Sequence, residues 1–152
     1  MTETVTRGQK TTDLLKAIYK NVKMAGDSLI DLMPKVKDEK LKSEMTVQLS
    51  TYEAFASRAA KLLADEGGKP EEEGFLTKMG AKMGCMMNTM RDSTSSHLAE
   101  MLIEGATMGM NDMYKQIRES ENTDASEKAI RLARDVCAYE ERTIEEMKVF
   151  LR

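Results

Sequence analysis

Leu15, Ile18, Val22, Ala25, Leu29 and Leu32 follow one another at alternating steps of three and four, the spacing that lines one face of an α-helix with apolar side chains. The same rhythm returns along most of the chain. Leu41, Met45, Gln48, Tyr52, Phe55, Ala59 and Leu62 form a second row, Ala99, Ile103, Ala106, Met110, Met113 and Ile117 another, and Ile130, Ala133, Cys137, Glu140, Ile144, Met147 and Leu151 the last. Nine glycines and two prolines in 152 residues leave these rows almost unbroken, so the chain is expected to be all-α. One domain is expected over residues 12–152, preceded by a flexible tail over 1–11.

The interruptions fix where the helices stop and start. The first helix is expected to begin near Thr12 and Asp13. Pro34 should end or kink it, because proline lacks the N–H that the helix needs there. Asp38 suits the start of the second helix, where an acidic side chain meets the positive end of the helix dipole, and Gly67 with Gly68 should stop it. Ser93 to Ser96 offer hydroxyl caps for a later helix. Asp124 and Glu127 have the spacing of a capping box ahead of the last one.

Between the second and the later long helices, Pro70 and the acidic run Glu71 to Glu73 open a shorter segment whose row is Leu76, Met79, Met83, Met86 or Met87, and Met90. At about 1.5 Å per residue, a helix of about 20 residues spans about 30 Å, enough to carry the chain from one end of a bundle to the other. Two helical hairpins joined by one long crossover make the connectivity of a ferritin-like four-helix bundle with an additional crossover helix.

The segments "LLKAIYKNVKMAGDSLIDLMPKVKDEKLKSEM", "YEAFASRAAKLLADEGG" and "IEGATMGMNDMYKQI" resemble a family of uncharacterised bacterial ferritin-like four-helix bundles. The resemblance covers most of the chain from about Thr12 onward. In the wider superfamily it implies a di-iron centre, with an inward Glu from each of two helices and a Glu-x-x-His pair from each of two others. The residues here do not supply that set. The first row has no carboxylate, and Glu53 projects away from the second row and is followed three residues later by Ala56. Glu140 does project inward, but Thr143 stands where the pair would have histidine. The di-iron ligand set is therefore read as lost.

The remaining metal candidates are Glu140, His97 and Glu104. His97 is the single histidine, and it projects beside Glu104 onto the polar side of its helix, with Glu100 on the same flank. One helix flank presents too few ligands for a tight site. Gln48, Tyr52 and Glu140 are expected as buried polar residues, and an ionised carboxylate is costly to bury unless it is paired or hydrogen-bonded. Glu140 reads either as a remnant of a metal site or as a structural residue satisfied by Tyr52, Gln48 or water.

The methionines leave three readings. "KMGAKMGCMMNTM" could be a copper site, because thioether sulfur suits Cu(I). It could be a partner surface, but the reading taken is core packing, in which flexible methionine on the crossover helix fills irregular gaps against the bundle. Met101 and Met108 project outside the core row of their helix and suggest an interface, with a homodimer the commonest such association.

A net charge of −3 gives no electrostatic footprint for nucleic acid. No apolar stretch reaches the length of a membrane span, and "MTETVTRGQKTT" has no apolar centre of the kind a signal peptide needs. The cytoplasm is the expected location, with Cys85 and Cys137 as reduced thiols. No nucleophile and base pair and no phosphate-binding glycine loop is present. No cofactor is expected. The first functional reading is a non-enzymatic interaction or structural protein with an unknown protein partner and a degenerate metal site. The alternative is an iron-binding ferritin-like protein with oxidase or storage activity.

Overall fold

A computed structural model describes residues 8–70 and 93–151. Four long helices account for nearly all of them: α1 (Gln9–Leu32), α2 (Glu39–Asp65), α3 (Ser95–Glu121) and α4 (Glu127–Met147). Short 3-10 turns follow α1 at Met33–Lys35 and α4 at Lys148–Phe150. The crossover helix expected between Pro70 and Met90, and with it the methionine-rich stretch, lies outside the described residues.

Local chemistry sets each boundary. Pro34 falls in the 3-10 turn just past Leu32, so α1 stops where proline's missing N–H requires it. The Asp38 carboxylate caps α2 by accepting from Lys40 N and Leu41 N at 2.8 and 3.3 Å. The Thr94 hydroxyl caps α3 by accepting from His97 N at 3.2 Å. At the C-terminus of α2, Gly67 takes a positive φ of 77°, which lets Gly68 N turn back to Leu63 O at 2.8 Å.

Two boundaries differ from the sequence expectation. Helix α1 starts at Gln9, ahead of Thr12 and Asp13, after a left-handed turn at Gly8. The cap of α4 is Ser126, whose hydroxyl accepts from Ala129 N at 3.1 Å, and not Asp124. The reason is tertiary: Ser126 N donates to Thr11 Oγ1 of α1 at 2.9 Å, which fixes the residue next to Glu127 as the turning point.

These same contacts define the topology. Thr11 beside Ser126 places the start of α1 with the start of α4, so the two helices run parallel. Ser95 Oγ donates to Asp38 Oδ2 at 3.4 Å, which places the starts of α2 and α3 together at the opposite end. Helix α2 therefore finishes a full bundle length from where α3 begins, about 40 Å for its 27 residues. The two hairpins, α1 with α2 and α3 with α4, pack further through α1 on α3 and α4 and through α2 on α4.

The core is one contiguous apolar cluster running through all four helices, with Leu14, Ile18, Leu41, Met45, Leu98, Met113, Leu132 and Met147 fully buried. On α3 the buried row is Leu98, Leu102, Ala106, Gly109, Met113 and Ile117. Ile103 and Met110, expected on that row, are only half-buried at its edge. On α2 it is Leu63, not Leu62, that closes the row. Leu151 at the far end of the last row is exposed.

Candidate functional site

Halfway along the bundle the apolar core gives way to polar side chains from three of the four helices. Helix α1 contributes Asn21, α2 contributes Gln48 and, one turn on, Tyr52, and α4 contributes Glu140 and, one turn on, Thr143. Helix α3 contributes a glycine. Gln48, Tyr52 and Glu140 are 2%, 3% and 1% exposed, so water reaches none of them freely.

Gly109 ties the cluster together. Its carbonyl accepts a hydrogen bond from Asn21 Nδ2 at 2.9 Å. Its missing side chain makes room for Glu140: a Cβ placed there would overlap the Glu140 Oε2 atom and stand 3.1 Å from the carboxyl carbon. Separations under 3.0 Å are essentially never found for real Cβ atoms, so any other residue at 109 would displace the carboxyl group. A glycine in mid-helix lowers helix propensity by up to about 1 kcal/mol, and here the cost secures the seat of a buried carboxyl.

Four buried atoms of this cluster have no hydrogen-bond partner among the described residues: Asn21 Oδ1, Gln48 Nε2, Glu140 Oε1 and Thr143 Oγ1. The Asn21 amide is oriented by its bond to Gly109 O, which leaves its oxygen as an acceptor in need of a donor. The Thr143 hydroxyl lies at the Tyr52 phenol without closing a hydrogen bond of good geometry.

Electrostatics follow from burial. The Glu140 carboxyl is pushed up to about 8, first by desolvation and then by the like charge of Asp112 on α3. The Tyr52 phenol is also raised, by burial first and then by Glu140 and Tyr139. Burial raises the Cys137 thiol, and its Sγ faces Met110 O at 3.9 Å. It is a free cysteine.

The three metal candidates do not come together. His97 Nδ1 lies 3.7 Å from Glu100 Oε2 on the α3 surface, and Glu104 is exposed one turn further along. Glu140 faces α3 at Gly109, twelve residues and so about 18 Å along the helix from His97. Among the described residues no group of three or more His, Cys, Asp or Glu could hold a metal ion. Of the two methionines expected at an interface, Met101 packs against the core, whereas Met108 is 65% exposed.

Two members of the cluster carry sequence signals that the row reading passed over. Asn21 belongs to a second row, Leu14, Ile18 and Asn21, that runs beside the first and widens the buried face of α1. Gly109 sits at the step after Ala106 and before Met113, a core position that a glycine marks as close packing. The sequence does mark Thr143, three residues after Glu140, in the place of the missing histidine.

No family model matches the chain, and no curated protein does. A solved structure is similar: the dodecameric thioferritin characterised as the bacterioferritin-related protein from Bacteroides fragilis superposes with a TM-score of 0.73 at 12% identity, over 92% of this chain and 83% of that one. The fold is ferritin-like. At that identity the likeness speaks for architecture alone.

The di-iron centre that the fold family implies can be tested against the donors present. Iron in such a centre needs several carboxylates with imidazole, whereas among the described residues the middle of this bundle offers one carboxyl, two neutral amides, a hydroxyl and a phenol. Gly109 lies where α3 meets Glu140 and brings no donor side chain. The described residues do not fit a di-iron group.

Proposed function

We propose that the protein is a non-enzymatic ferritin-like bundle that acts as an interaction or structural protein, its ancestral metal centre degenerate. The observation that carries this reading is the composition of the polar centre, in which Glu140 is the single carboxyl among the described residues, surrounded by neutral partners. The apolar seams on either side of it are continuous, so no metal is needed to hold the helices together.

Chelation tests this. Circular dichroism melts with and without a strong chelator should coincide, and elemental analysis of the untagged protein should find no stoichiometric metal. A large fall in melting temperature on chelation, together with retained iron, would instead favour a ferritin-like iron-binding protein with oxidase or storage activity.

We further propose a cytoplasmic homodimer. The structurally similar thioferritin is dodecameric, and the outer faces of this bundle carry exposed apolar side chains at Ile30, Val47 and Met108, a common mark of interaction surfaces when they lie close together. No helix among the described residues is long and apolar enough to cross a membrane. Light scattering after size exclusion should give twice the 17.1 kDa chain mass, and a strictly monomeric species at micromolar concentration would contradict the dimer.

A further inference from the structure

We propose that Glu140 sits in the folded bundle as a neutral carboxylic acid donating a hydrogen bond into the polar centre, so that folding takes up one proton at neutral pH and the bundle weakens as the solution becomes more alkaline. The inference rests on the metal-free reading above and specifies what occupies the centre in place of a metal.

Geometry carries it. Glu140 is 1% exposed and seated in the hollow left by Gly109, while its Oε1 finds no partner among the described residues. Asn21 is anchored on the carbonyl of that same glycine and presents a lone acceptor, Oδ1. Gln48 Nε2 and the Thr143 hydroxyl are unpaired in the same cluster, but among the described residues no cation acts on the carboxyl, so an ionised Glu140 would stand buried without a counter-charge. A neutral acid needs no counter-charge and brings a donor for the unpaired Asn21 Oδ1, which one bridging water can carry across.

The charges around the site point the same way. Helix α3 presents Asp112, whose like sign disfavours a second negative charge. Helix α2 presents the Tyr52 phenol, itself held protonated by burial. Helix α4 brings the buried Cys137 thiol, which the Glu140 charge acts on, and Tyr139 beside Tyr52, and α1 brings the neutral Asn21. Among the described residues, the charge that bears on Glu140 is negative. Desolvation and like charge both favour the protonated form.

The direction of the pH dependence follows. The folded carboxyl is raised from 4.5 to about 8, while the unfolded chain ionises at the ordinary value. Below about 4.5 both states hold the proton and the contribution is whole. Between the two values only the fold retains it, so each rise in pH favours unfolding, and above about 8 both states are ionised and the contribution is gone.

Two measurements on the full chain test this. In protein labelled with 13C at glutamate side chains, one carboxyl resonance should titrate with a midpoint far above the ordinary carboxylate range and be missing from Glu140→Gln. In parallel, the folded-to-unfolded ratio of the parent should fall relative to Glu140→Gln by about tenfold per pH unit between roughly 5 and 7. A parent spectrum with no such resonance overturns the proposal, and so does a ratio between the two proteins that stays flat or moves the other way. Should Glu140→Gln fail to fold, the parent titration decides by itself. Stoichiometric metal in the purified protein would sink the metal-free reading, whereas a flat titration in metal-free protein would sink only this one.

Discussion

Tyr52→Ala is expected to lower the unfolding free energy by about 3–5 kcal/mol, the range for truncating a buried aromatic ring. Aromatic residues are scarce here, with four Tyr, three Phe and no Trp in the whole chain, and three of them meet at one seam. The Tyr52 ring stands edge-on to Tyr139 of α4, with centroids 5.4 Å apart and planes at 84°. Phe55, one turn along α2, meets the same ring at 5.7 Å. Such pairs contribute about 0.5–1.5 kcal/mol beyond the area they bury. Cations close the outside of the seam: the Arg142 guanidinium lies 5.2 Å from the Tyr139 centroid, and Arg58 sits 5.9 Å from that of Phe55 while bonding Asp135 at 3.2 Å. Alanine at position 52 removes one of the two rings packed on Tyr139 and opens a cavity next to Glu140. Tyr52→Phe should cost far less, about 0.5–1.5 kcal/mol, because it removes only the hydroxyl. Urea denaturation of the two variants checks the ordering, and an Ala variant within about 1.5 kcal/mol of the parent would show that this seam does not hold α2 to α4.

How much of this could be read in the sequence depends on what each residue says locally. The helices were legible because their rows are long and their stops are chemical: Pro34 and Gly67 act within one turn of themselves, so their effect needs no knowledge of the rest of the fold. The cap of α4 was not legible in the same way. Asp124 and Glu127 satisfy a local spacing rule, but the turn is fixed by Thr11, over a hundred residues away in the chain.

The polar centre was half legible. Gln48, Tyr52 and Glu140 stand out as polar residues on apolar rows, and the fold buries all three. Asn21 and Gly109 did not stand out, because a row of single residues underestimates the width of a buried helix face. Counting Ile103 and Met110 as core also shifted the α3 row by one residue and passed over the glycine. A methionine pulls such a count towards itself through its hydrophobicity, whereas packing on α3 selected the small residue that Glu140 required.

Gly109→Ala is expected to destabilise the protein by about 1–3 kcal/mol, the usual cost of forcing extra volume into a packed interior. The sign is what makes this informative. In a helix interior, replacing glycine by alanine ordinarily stabilises by roughly 0.5–1 kcal/mol, since alanine loses less backbone freedom on folding. Gly105, one turn earlier on α3, should behave in that ordinary way, because a Cβ there meets nothing within 4 Å. At Gly109 the added methyl meets the Glu140 carboxyl group, which is buried and has nowhere to go without exposing or unpairing polar atoms. The clash belongs to that pair, so it should vanish when the partner is shortened. In a Glu140→Ala background, itself about 1–3 kcal/mol less stable than the parent for the cavity and unpaired groups it leaves, Gly109→Ala should become neutral or stabilising. The double-mutant cycle should then give a coupling energy above about 1 kcal/mol, as expected for residues in direct contact. If Gly109→Ala costs the same in both backgrounds, the glycine serves some other contact, and the seat it provides for Glu140 is not what holds the carboxyl in the middle of the bundle.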